Sequence, residues 1–316
     1  MAGPRRGFCM RQAFKVGTRG SPLALAQARE VADRLRALRP EIILETVAIR
    51  THGDEGLRTH TGASLDGKRA FTKRIEDALL EGRIDCAVHS LKDLPTSPVE
   101  GLTIAAIPPR ADPRDALVTK DGRTSDDLPA DARVGTSSLR RRAQLLARWP
   151  RLQVGDLRGN LETRLRRLGR GEFDALVVAA AGFHRLQVGG WIAEPLPPDL
   201  MTPAPGQGAL AVQARTDDED ILEILGTLDD PAARRTTEAE RELSARMGGG
   251  CNVPFGALAT MEDECFDLRA FVASPDGRRI VRARVAESAA RWREAVDAAW
   301  SQLLEGGGRR LLAGVA

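Results

Sequence analysis

Tyrosine is absent from this 316-residue chain, and phenylalanine and tryptophan supply only 4% of it. Nucleic-acid binding by base stacking therefore has few platforms. A net charge of +3 also falls short of a strong phosphate binder's field, despite the basic run from Arg140 to Arg151. The four cysteines, Cys9, Cys86, Cys251 and Cys265, have neither C-x-x-C spacing nor the density of a secreted disulfide scaffold. A reducing compartment is expected, without disulfides or structural zinc. His52, His60, His89 and His184 lack metal-ligand spacing, so no metal is expected. No run approaches the ~18 apolar residues of a membrane span. Met1 to Lys15 carries Arg5, Arg6 and Arg11 but no apolar core of signal-peptide length, and residues 1–13 read as a disordered lead of a cytoplasmic protein.

The cations present are mostly arginine. Of 47 basic residues only Lys15, Lys68, Lys73, Lys92 and Lys120 are lysine, and three of these fall between Lys68 and Lys92. In a chain that otherwise chooses arginine, that cluster points to use of a compact ammonium. The length exceeds what one hydrophobic core usually serves, so two or three domains are expected.

The apolar strand Ile84 to Val88 runs into His89-Ser90-Leu91-Lys92-Asp93-Leu94-Pro95-Thr96. This places an ammonium and a carboxylate where a buried sheet opens onto solvent, the usual position of ligands in open α/β sheets. Taken alone, the dipeptide could equally cap a loop ended by Pro95.

The chain also echoes itself. Val16-Gly17-Thr18-Arg19-Gly20-Ser21 precedes a helical pattern from Pro22 to Leu38, and Val134-Gly135-Thr136-Ser137-Ser138 precedes another from Leu139 to Trp149. Each reads as strand, turn and helix, with Ser21 and either Ser137 or Ser138 as caps, and both helix starts can bind anions. Gly82 to Val88 resembles Gly171 to Val177 in the same way. Two α/β domains follow, each with a mainly parallel sheet covered by helices and with a ligand cleft between them.

Pro203-Ala204-Pro205-Gly206-Gln207-Gly208 reads as a crossover or a surface turn. As a crossover it returns the chain to the first domain through the strand Ala209 to Arg215. The expected domains are 14–108 with 209–228, 109–208, and a smaller α+β domain over 229–316. In the last, a helix through Glu238 to Arg246 precedes a strand alternating at Phe266, Leu268, Ala270 and Val272. Ser274-Pro275-Asp276-Gly277 should turn that strand into a hairpin, and a helix from about 288 to 304 should cover one face.

Arg19, Arg140, Arg141, Arg158, Arg164 and Arg185 sit at predicted strand or helix ends, whereas Arg142, Arg148, Arg166, Arg167 and Arg170 read as solvated helix faces. Guanidinium forks at such ends suit a ligand with many carboxylates. Cys251 follows three glycines. It is either a small buried hydrophobe or a thiol held out on a loop, able to carry a covalent group.

These segments together resemble the porphobilinogen deaminase, or hydroxymethylbilane synthase, family over nearly the whole chain. The carriers are Thr18 to Ala24, Ala87 to Pro95, Asp112-Pro113-Arg114-Asp115-Ala116, Val134 to Arg141, Leu157-Arg158-Gly159-Asn160, Pro205 to Gly208 and Gly249-Gly250-Cys251. The resemblance implies two type II periplasmic-binding-protein-like domains and a third domain whose Cys251 carries a dipyrromethane cofactor through a thioether. It implies a transferase that adds four porphobilinogen units head to tail with loss of ammonia and releases hydroxymethylbilane for haem and porphyrin biosynthesis. Asp93 would be the catalytic carboxylate. Arg19, Ser21, Lys92, Ser137, Ser138, Arg140, Arg141, Arg158, Gly159, Arg164 and Arg185 would hold acetate and propionate groups, and Lys68 and Lys73 would belong to an active-site loop. A monomer is implied, with possible hand-off to uroporphyrinogen-III synthase and no nucleic-acid or membrane partner. The rival from another class is a non-catalytic anion-binding clamp, which has no use for Cys251.

Overall fold

The computed structural model describes residues 13–50, 69–188, 191–248 and 253–313; Cys251, Lys68 and residues 1–12 of the lead lie outside them. The chain opens with β1 (Ala13–Arg19), α1 (Pro22–Leu38), β2 (Ile43–Ile49), α2 (Arg69–Leu80), β3 (Cys86–Ser90) and β4 (Leu102–Ala106). It continues through β5 (Asp115–Thr119), β6 (Arg133–Gly135), α3 (Leu139–Arg148), β7 (Gln153–Gly155), α4 (Leu161–Gly169), β8 (Ala175–Ala179), α5 (Ala180–Arg185) and β9 (Ile192–Pro195). Then come β10 (Leu210–Arg215), α6 (Glu219–Gly226), α7 (Pro231–Arg246), β11 (Phe255–Glu262), β12 (Cys265–Ala273), β13 (Ile280–Ser288), α8 (Trp292–Glu305) and α9 (Gly308–Ala313).

Two five-stranded sheets share one plan, in the orders β2-β1-β3-β10-β4 and β7-β6-β8-β5-β9. In the first sheet β2, β1 and β3 run parallel and β10 runs against both its neighbours. In the second, β7, β6 and β8 run parallel and β5 opposes its neighbours. The reversed strand of each sheet is the one by which the chain enters the second lobe (β5) or re-enters the first (β10). Both sheets are thus mainly parallel in strand direction, each with one reversed strand.

Burial explains the composition of the inner strands. All five residues of β5 and the first five of β10 are buried, as expected of strands covered on both faces. The paired Val-Gly-Thr turns have a steric reason: a Cβ on Gly17 would collide with Ile84, and one on Gly135 would come within 2.8 Å of Leu176. Ser21 caps α1 by accepting from the Ala24 N–H at 3.3 Å, with Pro22 in the first turn. Ser138 caps α3, while the Ser137 hydroxyl instead accepts from the Leu157 N–H at 3.0 Å.

The third unit is an antiparallel sheet, β11-β12-β13, whose inward Phe266, Leu268, Ala270 and Val272 pack with Leu243 of α7 and Val296 and Leu303 of α8. Ser274 to Gly277 turns β12 into β13, with the Ser274 N–H donating to the Arg279 carbonyl at 2.9 Å. Glu240 of α7, with a wholly buried side chain, ties this unit to the crossovers. It accepts from both Arg110 terminal nitrogens at 2.6 and 3.0 Å, from the Gly206 N–H at 2.6 Å and from the Ala259 N–H at 2.8 Å. Removing one member of such a pair strands the other charge in the interior. Glu240→Gln should therefore lower unfolding free energy in urea by about 3 kcal/mol, with Arg110→Ala adding little on top. An unchanged urea midpoint would show that the bridge does not join the units.

Candidate active site

At the carboxyl end of β3 the chain tightens into a 3-10 turn, Leu91–Asp93. The buried Leu91 anchors it: its N–H donates to the Ala209 carbonyl at 3.0 Å, and its own carbonyl accepts from Leu94 at 3.2 Å. Gly206, at φ +73°, lies so close that a Cβ there would sit 3.0 Å from Leu91 Cγ and 3.2 Å from the Lys92 nitrogen. From α7, Arg241 donates to the carbonyls of Leu94 and Pro95 at 3.2 and 2.7 Å. From α1, Gln27 donates to the Ser90 hydroxyl at 2.8 Å. With the backbone held from four directions, Lys92 and Asp93 are presented half-buried at the sheet's edge.

A second cluster lies at the start of β5. The Asp115 carboxylate is fully buried and accepts from Arg140 Nη1 at 2.6 Å, from Arg141 Nε and Nη2 at 3.0 and 2.7 Å, and from Gln207 Nε2 at 2.9 Å. Arg140 also donates to the Thr202 carbonyl at 2.7 Å and Arg141 to the Val177 carbonyl at 3.0 Å. Burial opposes ionisation of Asp115, but the two guanidiniums outweigh it and hold the carboxyl well below its usual range. Two cations around one anion leave a net positive charge in the cluster. Sequence reasoning set Arg140 and Arg141 on an open edge; the structure buries both, because Asp115 supplies the counter-charge.

Gln207 joins the two clusters. Its Oε1 accepts from Lys92 Nζ at 3.3 Å while its Nε2 donates to Asp115 and to the Pro113 carbonyl at 2.8 Å. Its own carbonyl accepts from Arg110 Nε at 2.9 Å. A continuous polar chain thus runs from Lys92, beside Asp93, to Arg140 and Arg141. Burial lowers the Lys92 ammonium to about 8 against the opposing pull of Asp93, with Arg141 pushing further down.

The remaining expected residues surround these clusters. Arg19 ends β1 half-buried, and Ser21 follows it at the start of α1. Arg158 is exposed and Arg164 donates to the Gly159 carbonyl at 2.8 Å. Burial, and then the charge of Arg141, lower the pKa of Arg164. Lys73 is exposed on α2. Arg185 lies between the lobes, its Nε donating to Glu30 of α1 at 2.7 Å and its Nη2 to the Gly208 carbonyl at 3.2 Å. His89 is buried in β3, where desolvation lowers it to about 4 against the opposing pull of the Gln213 side chain. Cys251 and Lys68 lie outside the described residues. Sequence reasoning gave no role to Asp115 or Gln207, although an acidic residue opening the apolar strand Asp115 to Val118 was a usable signal.

Residues 14–223 match the family described as "Porphobilinogen deaminase, dipyromethane cofactor binding domain", and residues 234–299 match "Porphobilinogen deaminase, C-terminal domain". The chain belongs to the porphobilinogen deaminase family. It is 49% identical over 305 residues to the porphobilinogen deaminase of Roseiflexus sp. (strain RS-1), covering 96% of this chain and 100% of that one. The Chromobacterium violaceum porphobilinogen deaminase is 44% identical over 301 residues, covering 95% of this chain and 97% of the relative. Among solved structures, the periplasmic VFT2 domain of Bordetella pertussis BvgS is 14% identical with a TM-score of 0.39, over 69% of this chain and 86% of that one. The probable amino-acid ABC transporter extracellular-binding protein YtmK of Bacillus subtilis is 11% identical with a TM-score of 0.40, over 69% and 90%.

The donor set fits the dipyrromethane of this family. Pyrroles bearing acidic side chains require an acceptor for ring N–H groups and cations for carboxylates. Asp93 would be the acceptor, and Lys92 and the net-positive arginine cluster would provide the cations. Arg140 retains Nε and Nη2, which have no hydrogen bond among the described residues. The lowered Lys92 ammonium makes a pH prediction. The charge is present below about pH 8 and lost above it, so kcat/KM for porphobilinogen should fall on the alkaline side. Lys92→Arg, charged throughout, should flatten that limb in a pH–rate profile; an unchanged limb would assign it to another group.

Proposed function

We propose that the chain joins four porphobilinogen units head to tail on a dipyrromethane held through a thioether to Cys251, with loss of one ammonia per unit, and that water then cleaves the bond to the dipyrromethane to release hydroxymethylbilane. The observation that carries this reading is the polar chain Lys92-Gln207-Asp115-Arg140/Arg141, which connects the Asp93 turn of one lobe with a buried cationic cluster in the other. When bound, the dipyrromethane supplies the free pyrrole α-carbon from which the product is extended.

Asp93 accepts hydrogen bonds from pyrrole N–H groups, stabilises the positive charge that develops as ammonia leaves, and receives the proton lost from the attacking carbon. Each role gains from partial removal from bulk water. Lys92, Arg19, Arg158 and Arg164 take acetate and propionate groups, joined by the unspent N–H groups of Arg140 and Arg141. Ser21, Ser137, Ser138 and Gly159 add hydroxyl or backbone contacts where α1, α3 and α4 begin. Lys68 and Lys73, the latter exposed on α2, belong to the active-site loop that the family resemblance implies. Arg185 takes a carboxylate when its bridge to Glu30 opens.

We also assign the chain to the cytoplasm as a monomer that hands its product to uroporphyrinogen-III synthase. Supporting the location, Cys86 and Cys265 are both free thiols, which suits a reducing compartment. No helix among the described residues is long and apolar enough to cross a membrane.

Asp93→Asn keeps size and hydrogen bonding but removes the charge. Single-turnover mass spectrometry should show cofactor-bearing protein whose pyrrole addition is slowed at least about 100-fold, with KM little changed. Addition at the wild-type rate would remove Asp93 from the chemistry. Arg158→Leu should begin elongation normally and accumulate an intermediate length; unaltered hydroxymethylbilane formation would take Arg158 out of the carboxylate-binding set.

A further inference from the structure

Arg185 is already holding a carboxylate. Its Nε donates to Glu30 Oε2 at 2.7 Å, and the guanidinium side chain is only 10% exposed, against 27% for Glu30. The two residues come from different lobes, Glu30 from α1 and Arg185 from α5. The helices also touch where Leu23 Cδ2 lies 3.5 Å from the position of a Cβ on Gly182. Glu30 therefore presents to Arg185 the same functional group that an acidic pyrrole would offer.

The surroundings make that contact exchangeable. Glu30 Oε1 accepts from Arg34 Nη2 at 3.2 Å, one turn along α1. Were Arg185 to leave, Glu30 would keep a cationic partner. Were a ligand carboxylate to take the fork, Arg185 would pass from one carboxylate to another while retaining the Gly208 carbonyl on the crossover. Neither end is left as an unpaired charge, the outcome that makes breaking a buried pair costly. Nε carries a single N–H and Glu30 holds it, so a ligand carboxylate that takes the Nε edge of the fork displaces Glu30, and on that edge binding and the interlobe bridge are alternatives.

We propose that Glu30 is a positioning residue that competes with ligand carboxylates for Arg185, so that capture of a ligand carboxylate releases α1 from α5 and lets the lobes part as the bound chain lengthens. The proposal rests on the porphobilinogen deaminase reading and adds to it a residue outside the proposed binding set.

The test compares wild-type holoenzyme with Glu30→Gln and Arg34→Gln by steady-state kinetics with porphobilinogen and by hydrogen–deuterium exchange of α1 and α5 before and after substrate loading. Glu30→Gln should lower KM about fivefold, the size of one modest ion pair, with kcat nearly unchanged. Its α1 and α5 amides should exchange, without substrate, at the rate that wild type reaches only after loading. Arg34→Gln, which keeps the bridge, should match wild type in both measurements. Wild-type KM and exchange in Glu30→Gln would overturn the proposal, as would an Arg34→Gln protein behaving like Glu30→Gln, since the effect would then be local to the helix. Failure of wild type to add pyrrole units would count against the enzymatic reading instead, while exchange in the unloaded proteins would still report whether Glu30 holds α1 to α5.

Discussion

A single buried carboxylate sets the conditions for the rest of the site. Arg140 and Arg141 are neighbours in sequence, and two guanidiniums cannot be withdrawn from water together without an anion between them. Asp115 is that anion, shared by both arginines and by the Gln207 amide. Because Asp115 opens β5 and Gln207 lies on the returning crossover, the cluster also fixes the path of both connections between the lobes. The arginines gain defined orientations, and the cluster retains a net positive charge for an acidic ligand. Asp115 itself stays ionised, so its stabilising contribution is present above the ordinary carboxyl value of 3.8 and lost as pH falls below it.

The two lobes contribute different chemistry. The first offers a carboxylate and an ammonium on a turn whose backbone is held by Ala209, Arg241 and the close approach of Gly206. The second offers guanidiniums, some locked by Asp115 and one, Arg158, exposed. Gln207 connects the two sets and fixes the distance between Lys92 and the arginine pair. Glu240 extends the same connection into the third unit, since it grips Arg110 and the Gly206 N–H together. A substitution at any of these positions would reach the Asp93 carboxylate through the backbone of its turn.

Much of this organisation was legible in the sequence where the signals were local. The doubled strand-turn-helix grammar, the Ser21 cap, the turn at Asp93 and the hairpin at Ser274 to Gly277 each depend on a few adjacent residues. Both mainly parallel sheets followed from that grammar. Less legible was anything set by partners distant in the chain. Arg140 and Arg141 read as carboxylate binders on an open rim because nothing near them in sequence announces Asp115, which meets them from β5. Arg185 read as a free carboxylate binder because Glu30, 155 residues earlier, gave no sign of facing it. The amide of Gln207 could be quoted as part of a motif, yet its two-sided role appears only when Lys92 and Asp115 approach it from opposite directions.

The most direct measurement is the intact mass of the purified protein, compared with the sequence mass, before and after addition of porphobilinogen. The predicted result is an excess of two linked pyrroles localised to Cys251 that grows in single-pyrrole steps with substrate. If the mass is bare and neither porphobilinogen nor preformed hydroxymethylbilane installs the adduct, the synthase assignment is contradicted and the two lobes are left as an anion-binding clamp.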